Sequence, residues 1–284
     1  MEAVRVAHDL RAHLHGMWSS VADAWGEHAD YIDERGAEVT ARMLELARPK
    51  AGDRVLELAC GPGGLGLAAA PLVAPHGEVV LSDVAAGMTA IAAGRAASLG
   101  LANVRTRELD LERIDEPDES FDVVLCREGL MLVPDPDLAA REIRRVLRPS
   151  GRAAIAVWGP REWNPWLGVL FNTVSAQTGS PVPPPGIPGP FSLEDSDRLV
   201  TLLSEAGLLG VTVEALRTPL RASSFEEWWT RTSALAGPLA RVLASLPENA
   251  REALRARLRE ALSFYATPEG LDIPGVSLIA SARA

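Results

Sequence analysis

The stretch Val55-Leu56-Glu57-Leu58-Ala59-Cys60-Gly61-Pro62-Gly63-Gly64-Leu65-Gly66 joins an apolar strand, with one acid inside it, to a glycine-rich turn. Glycines let the backbone turn sharply and approach a ligand closely. The residues that follow, through Val73, predict a helix whose first turn offers unsatisfied N–H groups to whatever occupies the turn. This is the chemistry of a nucleotide-binding loop. Its spacing, Gly61-x-Gly63-x-x-Gly66, fits a dinucleotide, and Asp83 lies about 20 residues on, where an acid for ribose hydroxyls belongs. That spacing alone does not choose the nucleotide. Two further acids bear on the choice. Glu57 sits inside the strand, where dinucleotide folds carry an apolar residue, and Asp110 follows a third strand-like segment.

Acids so far apart in sequence meet only if a sheet lines them up. The pattern predicts strands over 54–59, 78–82, 104–108, 121–126 and 152–158. Helices are expected between them at 66–73 and 85–98, and a further one is opened by Asp135 as N-cap with Pro136 at the first helical position. Strands alternating with helices argue for a parallel, doubly wound α/β sheet. Residues 5–48 read as helices, with Val39, Met43, Leu44 and Ala47 on one face. Beyond 158 the rhythm changes. A helix is expected over 163–177, then a proline-rich loop over 179–190, a helix over 193–206 and a strand over 211–217. Residues 224–266 read as helical, with Leu254, Leu258, Leu262 and Tyr265 on one stripe, and a last strand covers 276–282.

The chain of 284 residues is 47% apolar, enough for a sizeable core, and carries a net charge of −10. With no long basic run, a nucleic-acid partner is disfavoured, because such binding rests on phosphate neutralisation. Cys60 and Cys126 are the two cysteines, both beside predicted strands, which favours buried free thiols over a disulfide framework or a metal site. His8, His13, His15 and His28 do not have metal-ligand spacing, so no metal is expected. No apolar run approaches the length of a membrane span and no apolar leader opens the sequence; the expectation is a soluble, cytoplasmic protein without membrane insertion.

The ordered series Glu57, Gly61/Gly63, Asp83, Asp110 resembles the seven-strand, class I S-adenosylmethionine (SAM) methyltransferases. The resemblance runs further. Asp83-Val84-Ala85-Ala86-Gly87-Met88 is similar to the family's D-x-S-x-x-M, with Ala85 in place of Ser. Phe121–Leu125 resembles its fourth strand, and Arg141–Arg152 its E-x-x-R-V-L-x-P-G-G signature, with Ser150 for the first Gly. Trp18–Trp25 resembles the F-x-x-V-A-x-x-Y-D opening of the ubiquinone/menaquinone C-methyltransferase-like branch. These motifs cover roughly residues 15–158, and nothing beyond 160 matches.

The resemblance implies a Rossmann-like sheet of seven strands whose last strand inserts antiparallel between strands five and six. It implies a helical cover over 1–48, a core over 49–222 and 270–284, and helical or loop lid insertions over 160–191 and 223–269, all in one compact unit. The cofactor is expected to be SAM, with S-adenosylhomocysteine (SAH) as product. Glu57, Ala59, Cys60, Gly61 and Gly63 would hold its methionine end, together with Cys126 and Arg127, whose guanidinium is placed to clamp a carboxylate. Asp83, with Val84 and Met88, would bind the ribose; Asp110, with Leu109 and Leu111, would read the adenine. Trp25, in the place of the family's tyrosine, is a further cofactor contact.

Methyl transfer from a sulfonium needs placement, exclusion of water and, for a protonated acceptor, a base. Glu128 and His28 are the candidate bases. Trp18, Trp158, Trp163, Trp166, Trp228 and Trp229 are expected to line the pocket of a small, partly apolar or aromatic methyl acceptor, methylated on O or C by a monomer or homodimer. The alternatives are an NAD-dependent oxidoreductase, opposed by Glu57, Asp110 and the absence of a Tyr-x-x-x-Lys pair, or a SAM-fold protein with another role.

Overall fold

In the computed structural model the backbone is described over residues 2–284 and the side chains over the same span save residues 2–9, 238 and 241. His8 therefore lies outside the described side chains. Four helices open the chain: α1 (Glu2–Ser19), α2 (Ala22–Glu27), α3 (Ala29–Arg35) and α4 (Ala37–Ala47). There follow β1 (Arg54–Leu58), α5 (Gly64–Val73), β2 (Glu78–Asp83), α6 (Ala86–Ser98), β3 (Val104–Glu108), β4 (Phe121–Arg127), α7 (Pro136–Val146) and β5 (Leu147–Trp158). The last third holds α8 (Pro165–Thr178), α9 (Ser196–Glu205), β6 (Leu209–Arg217), β7 (Leu220–Ala222), α10 (Phe225–Leu235), α11 (Pro238–Ser245), α12 (Glu248–Leu262), β8 (Ala266–Thr267), β9 (Gly270–Ile273) and β10 (Val276–Arg283).

The main sheet has seven strands in the order β3-β2-β1-β4-β5-β10-β6, with β10 antiparallel to both of its neighbours. The seven-strand sheet with its reversed last strand is as expected. Helices bury both faces. Val39, Met43 and Ala47 of α4 join α5 and α6 on one side, while α7 and α9 pack on the other, where α8 and α12 extend the same apolar core away from the sheet. Burial on both faces explains why β1, β2 and β4 read as nearly unbroken apolar runs. The order reverses between β1 and β4, and the crevice beyond the carboxyl ends at such a switch point is where open α/β sheets bind ligands.

Two expectations need correction, the start of the fifth strand and the place of Tyr265. The fifth strand begins at Leu147, not 152, because Leu147 pairs with Phe121 before a register shift; Ser150, at φ +63°, absorbs the irregularity. The segment 224–266 is helical as expected, in three helices and a final turn: Gly237 breaks it before Pro238, and Pro247 precedes α12. The apolar stripe Leu254, Leu258, Leu262 is buried, but Tyr265 lies past the helix in a single 3-10 turn. A three-stranded sheet, β7-β9-β8, was not expected at all.

Candidate active site

A cavity of about 910 Å3 lies over the carboxyl ends of β1, β2, β4 and β5, touching Leu58, Asp83, Arg127 and Trp158. Its first half is built from the glycine turn. Glu57, in the middle of the sheet, is 2% exposed, and its Oε2 accepts the Gly66 N–H at 2.8 Å. The strand acid thus fixes the far end of the turn. Burial pushes its carboxyl up to about 8, against the opposing pull of Arg127 and the Gly66 bond. Gly61 takes φ +51° and a side chain there would press on the Trp25 ring. Ala59 holds φ +49° without being glycine, a strained position at the cavity wall. Gly63, at φ +88°, lies behind the turn rather than on the cavity: a Cβ there would meet Ala92 and Leu81 at 3.0 Å, so its role is close packing of α6.

Asp83 ends β2 with both oxygens engaged, Oδ2 by Gly61 N–H and Oδ1 by Ala85 N–H, each at 3.0 Å. Burial raises its carboxyl above the usual range while these bonds and one from Val84 oppose the shift. Val84, Met88, Leu109, Asp110 and Leu111 complete this wall. A roof comes from the first helices: His13, His15, Trp18 and Trp25 border the cavity, with the two indoles edge to face at 6.0 Å. The roof is tied down by Arg11, whose Nε donates to Glu112 Oε2 at 2.6 Å and lies 3.3 Å from Asp110 Oδ2. His15 Nε2 stands 3.6 Å from the same Asp110 oxygen. Trp25 Nε1 is sealed from water and has no partner among the described residues. On a second roof helix Asp33 pairs with Arg95, which also donates to the Pro62 carbonyl of the turn at 2.9 Å.

Arg127 closes the junction between the halves. Its Nη1 donates to Thr40 Oγ1 at 2.6 Å, and it packs on the backbone of Gly36. Glu128 follows at φ +59° and borders the cavity; enclosure by protein raises its carboxyl, with Arg127 and Arg35 pulling the other way. Cys60 touches the cavity, whereas Cys126 lies beneath it, fully buried with its thiol pushed up to about 12. Neither thiol is a nucleophile at neutral pH.

The second half is aromatic. Trp158 and Trp166 meet edge to face at 5.1 Å, joined on the cavity wall by Phe171, Tyr31 and the proline-rich loop. Asn164 sets Trp166: fully buried, it accepts from Trp166 Nε1 at 3.1 Å and from Val276 N–H at 3.0 Å, and its Nδ2 donates to the Gly159 and Val276 carbonyls. Trp228 and Trp229 do not reach the cavity. Trp228 is 1% exposed and donates to the Trp166 carbonyl at 3.2 Å, forming the layer behind that ring. Trp229 packs beside it, Trp163 points to solvent at 51% exposure, and His28 sits at the α2–α3 junction off the cavity. Lid helices need a core of their own, and these indoles supply it. Tyr31, Phe171 and Arg35 are wall residues that the sequence did not single out; Arg35 stacks over Trp166 at 3.8 Å. Among the described residues, no cluster of side chains has the make-up of a metal site and no helix is long and apolar enough to cross a membrane.

Comparison with known proteins agrees with this architecture. Residues 49–177 match the model of a family described as "Methyltransferase domain". A ubiquinone/menaquinone biosynthesis C-methyltransferase, UbiE, of Ectopseudomonas mendocina is 37% identical over 133 residues, 46% of this chain and 52% of the relative. The chain thus spans about half the length of the curated relatives it matches. Among solved structures, the YcgJ protein of Bacillus subtilis aligns with TM-score 0.59 and 22% identity, over 87% of this chain and 98% of that one. A [4+2]-cyclase, SpnF, aligns with TM-score 0.53 and 20% identity, over 86% and 79%. At such identities the structural likeness speaks for the fold. Over residues 49–177 this chain is thus similar to the methyltransferase-domain family, and its sheet order is that of a Rossmann-like, seven-strand fold.

Proposed function

We propose that the chain is a SAM-dependent methyltransferase acting on a small, partly apolar molecule. The observation that carries this reading is the single cavity whose one half is walled by the turn after Glu57, by Asp83 and by Asp110, and whose other half is aromatic. A nucleotide with a charged amino-acid tail suits the first half. Asp83 is an acceptor for ribose hydroxyls, Asp110 for an exocyclic amine, and the unpartnered Trp25 Nε1 is a donor beside the turn.

When bound, SAM supplies a methyl group on a cationic sulfur and departs as a neutral thioether. No residue need protonate the leaving group. The protein's task is to place an acceptor in line and close to the methyl carbon and to exclude water. The roof over the turn and the aromatic walls meet both needs. Glu128, at the junction of the halves, is the group positioned to take a proton from an O or activated C nucleophile. The net charge of −10 fits a small-molecule acceptor better than nucleic acid.

Thermal shift with SAM, SAH and NAD tests the reading. Stabilisation by SAM and SAH but not NAD is expected. Stabilisation by NAD alone would overturn it in favour of an oxidoreductase. Because one fold neighbour is named as a cyclase, transfer of isotope-labelled methyl to an acceptor must also be measured; SAM binding without transfer to any acceptor would limit the protein to a binding role.

A further inference from the structure

We infer that the aromatic half of the cavity takes a small, flat organic acid, and that Arg35 holds its carboxylate. Arg35 ends α3 and lines the cavity. Its guanidinium lies over two indoles, 3.8 Å from the centre of Trp166 and 4.8 Å from that of Trp158. Stacking of this kind satisfies the face of the group and leaves its edge donors to find partners. Two of them have none: Nε and Nη2 are shut off from water and bond nothing among the described residues.

Those two atoms are not an arbitrary pair. Nε–H and one Nη2–H point the same way along one edge of the guanidinium, and that edge is the fork that grips a carboxylate with two parallel bonds. A buried cation with an open fork costs stability unless a partner arrives. Neighbouring groups do not close it. Glu128 and Tyr31 are the nearest groups that carry or can acquire negative charge, yet neither bonds Arg35, and Arg127 opposes it with like charge. Arg231, the other arginine on this wall, is already paired with Glu227 at 2.8 Å and stacked over Tyr31. A positive charge with no bonded partner, among largely apolar walls, suits a monoanion. A phosphate, with nearly two charges and more oxygens to satisfy, would need donors that these walls do not offer. The edge is shut off from water, so an acid in the cavity engages it only once adjacent side chains move aside.

This inference rests on the methyltransferase reading for what happens to the acid, but not for its binding. The test measures affinity for trans-cinnamate, indole-3-acetate and 1-naphthoate, and for their methyl esters, in wild type and Arg35→Met, with and without SAH. At least one acid should bind wild type well above its ester, and Arg35→Met should lose that acid by on the order of 30-fold while keeping the ester. Arg35→Met should also unfold at a higher temperature than wild type, since it removes a buried charge without a partner; a cation kept only to support the indoles would give the reverse. Equal binding of acids and esters, no binding by any acid, or acid binding unchanged in Arg35→Met would overturn the inference. SAH binding is read separately: acids that bind a protein blind to SAH would leave this assignment standing and remove the methyl-donor reading.

Discussion

Glu57 Oε2 accepts the Gly66 N–H at 2.8 Å, so an acid inside β1 holds the first turn of α5 and thereby the curvature of the glycine turn between them. A side chain at position 66 would collide with that carboxylate and with Leu81, which is why the third glycine is required here even though it does not line the cavity. The two residues form one device for shaping the turn.

Its first consequence is a pH-dependent stability. Burial holds the Glu57 carboxyl up to about 8 against an ordinary value of 4.5. Between those values the folded protein keeps a proton that the unfolded chain releases, so stability falls as pH rises through the window. The contribution is on the order of 5 kcal/mol. Glu57→Gln, which still offers an oxygen to Gly66, should flatten the decline, seen in urea midpoints at the two ends of the window. An unchanged slope refutes the assignment. Asp83 and Glu128 are shifted the same way, so some decline should persist in the variant.

Asp83→Ala should weaken SAH binding by at least about 30-fold, measured by calorimetry. It should also lower unfolding stability by about 1–3 kcal/mol, because Gly61 N–H and Ala85 N–H lose their acceptor. SAH affinity equal to wild type would remove Asp83 from the ribose site.

Much of this wall was legible in the sequence because punctuated strands deliver residues to predictable ends. β3 matches its expected span, and the N-cap at Asp135 bonds Leu138 N–H as Pro136 implied. What escaped was set by packing. β8 and β9 are too short to show a period. Trp228 and Trp166 have the same composition signal, and only the fold decides that one lines the cavity while the other backs it. Arg35 follows Asp30, Asp33 and Glu34, so it reads as one more charge on a solvated helix face; nothing local says that its guanidinium turns onto two indoles.

Arg11 is the tie between the roof and the Asp110 wall. Its partner Glu112 is almost fully buried and also accepts the Asp135 N–H. Arg11→Gln should free α1, raising amide exchange over residues 10–19 and weakening SAH binding several-fold, with little loss of global stability. Exchange and affinity both at wild-type levels would show that the roof is held by other contacts.

Asn164 should carry a larger structural cost. Asn164→Leu strands Trp166 Nε1 and the Val276 N–H and removes a donor shared among three carbonyls, predicting a loss of about 2–4 kcal/mol. Because Trp166 loses its anchor, binding of the acid probes above should weaken while SAH affinity stays close to wild type. A stable Asn164→Leu with full acid affinity would show that the Trp228 layer alone orients the ring.

Glu128 offers the sharpest kinetic test. Its raised carboxyl stays protonated to higher pH than an ordinary acid, and only the ionised form accepts a proton. Turnover of an acceptor should therefore climb with pH through a limb displaced upward toward neutrality. Arg127 and Arg35 face the same carboxyl and limit the displacement; Arg35→Met should move the limb further up. Glu128→Gln should lower kcat by about 10²–10⁴-fold with SAH affinity retained, and the limb should vanish. A variant that turns over at the wild-type rate, or keeps the same limb, would leave the acceptor to lose its proton to water or to arrive ionised.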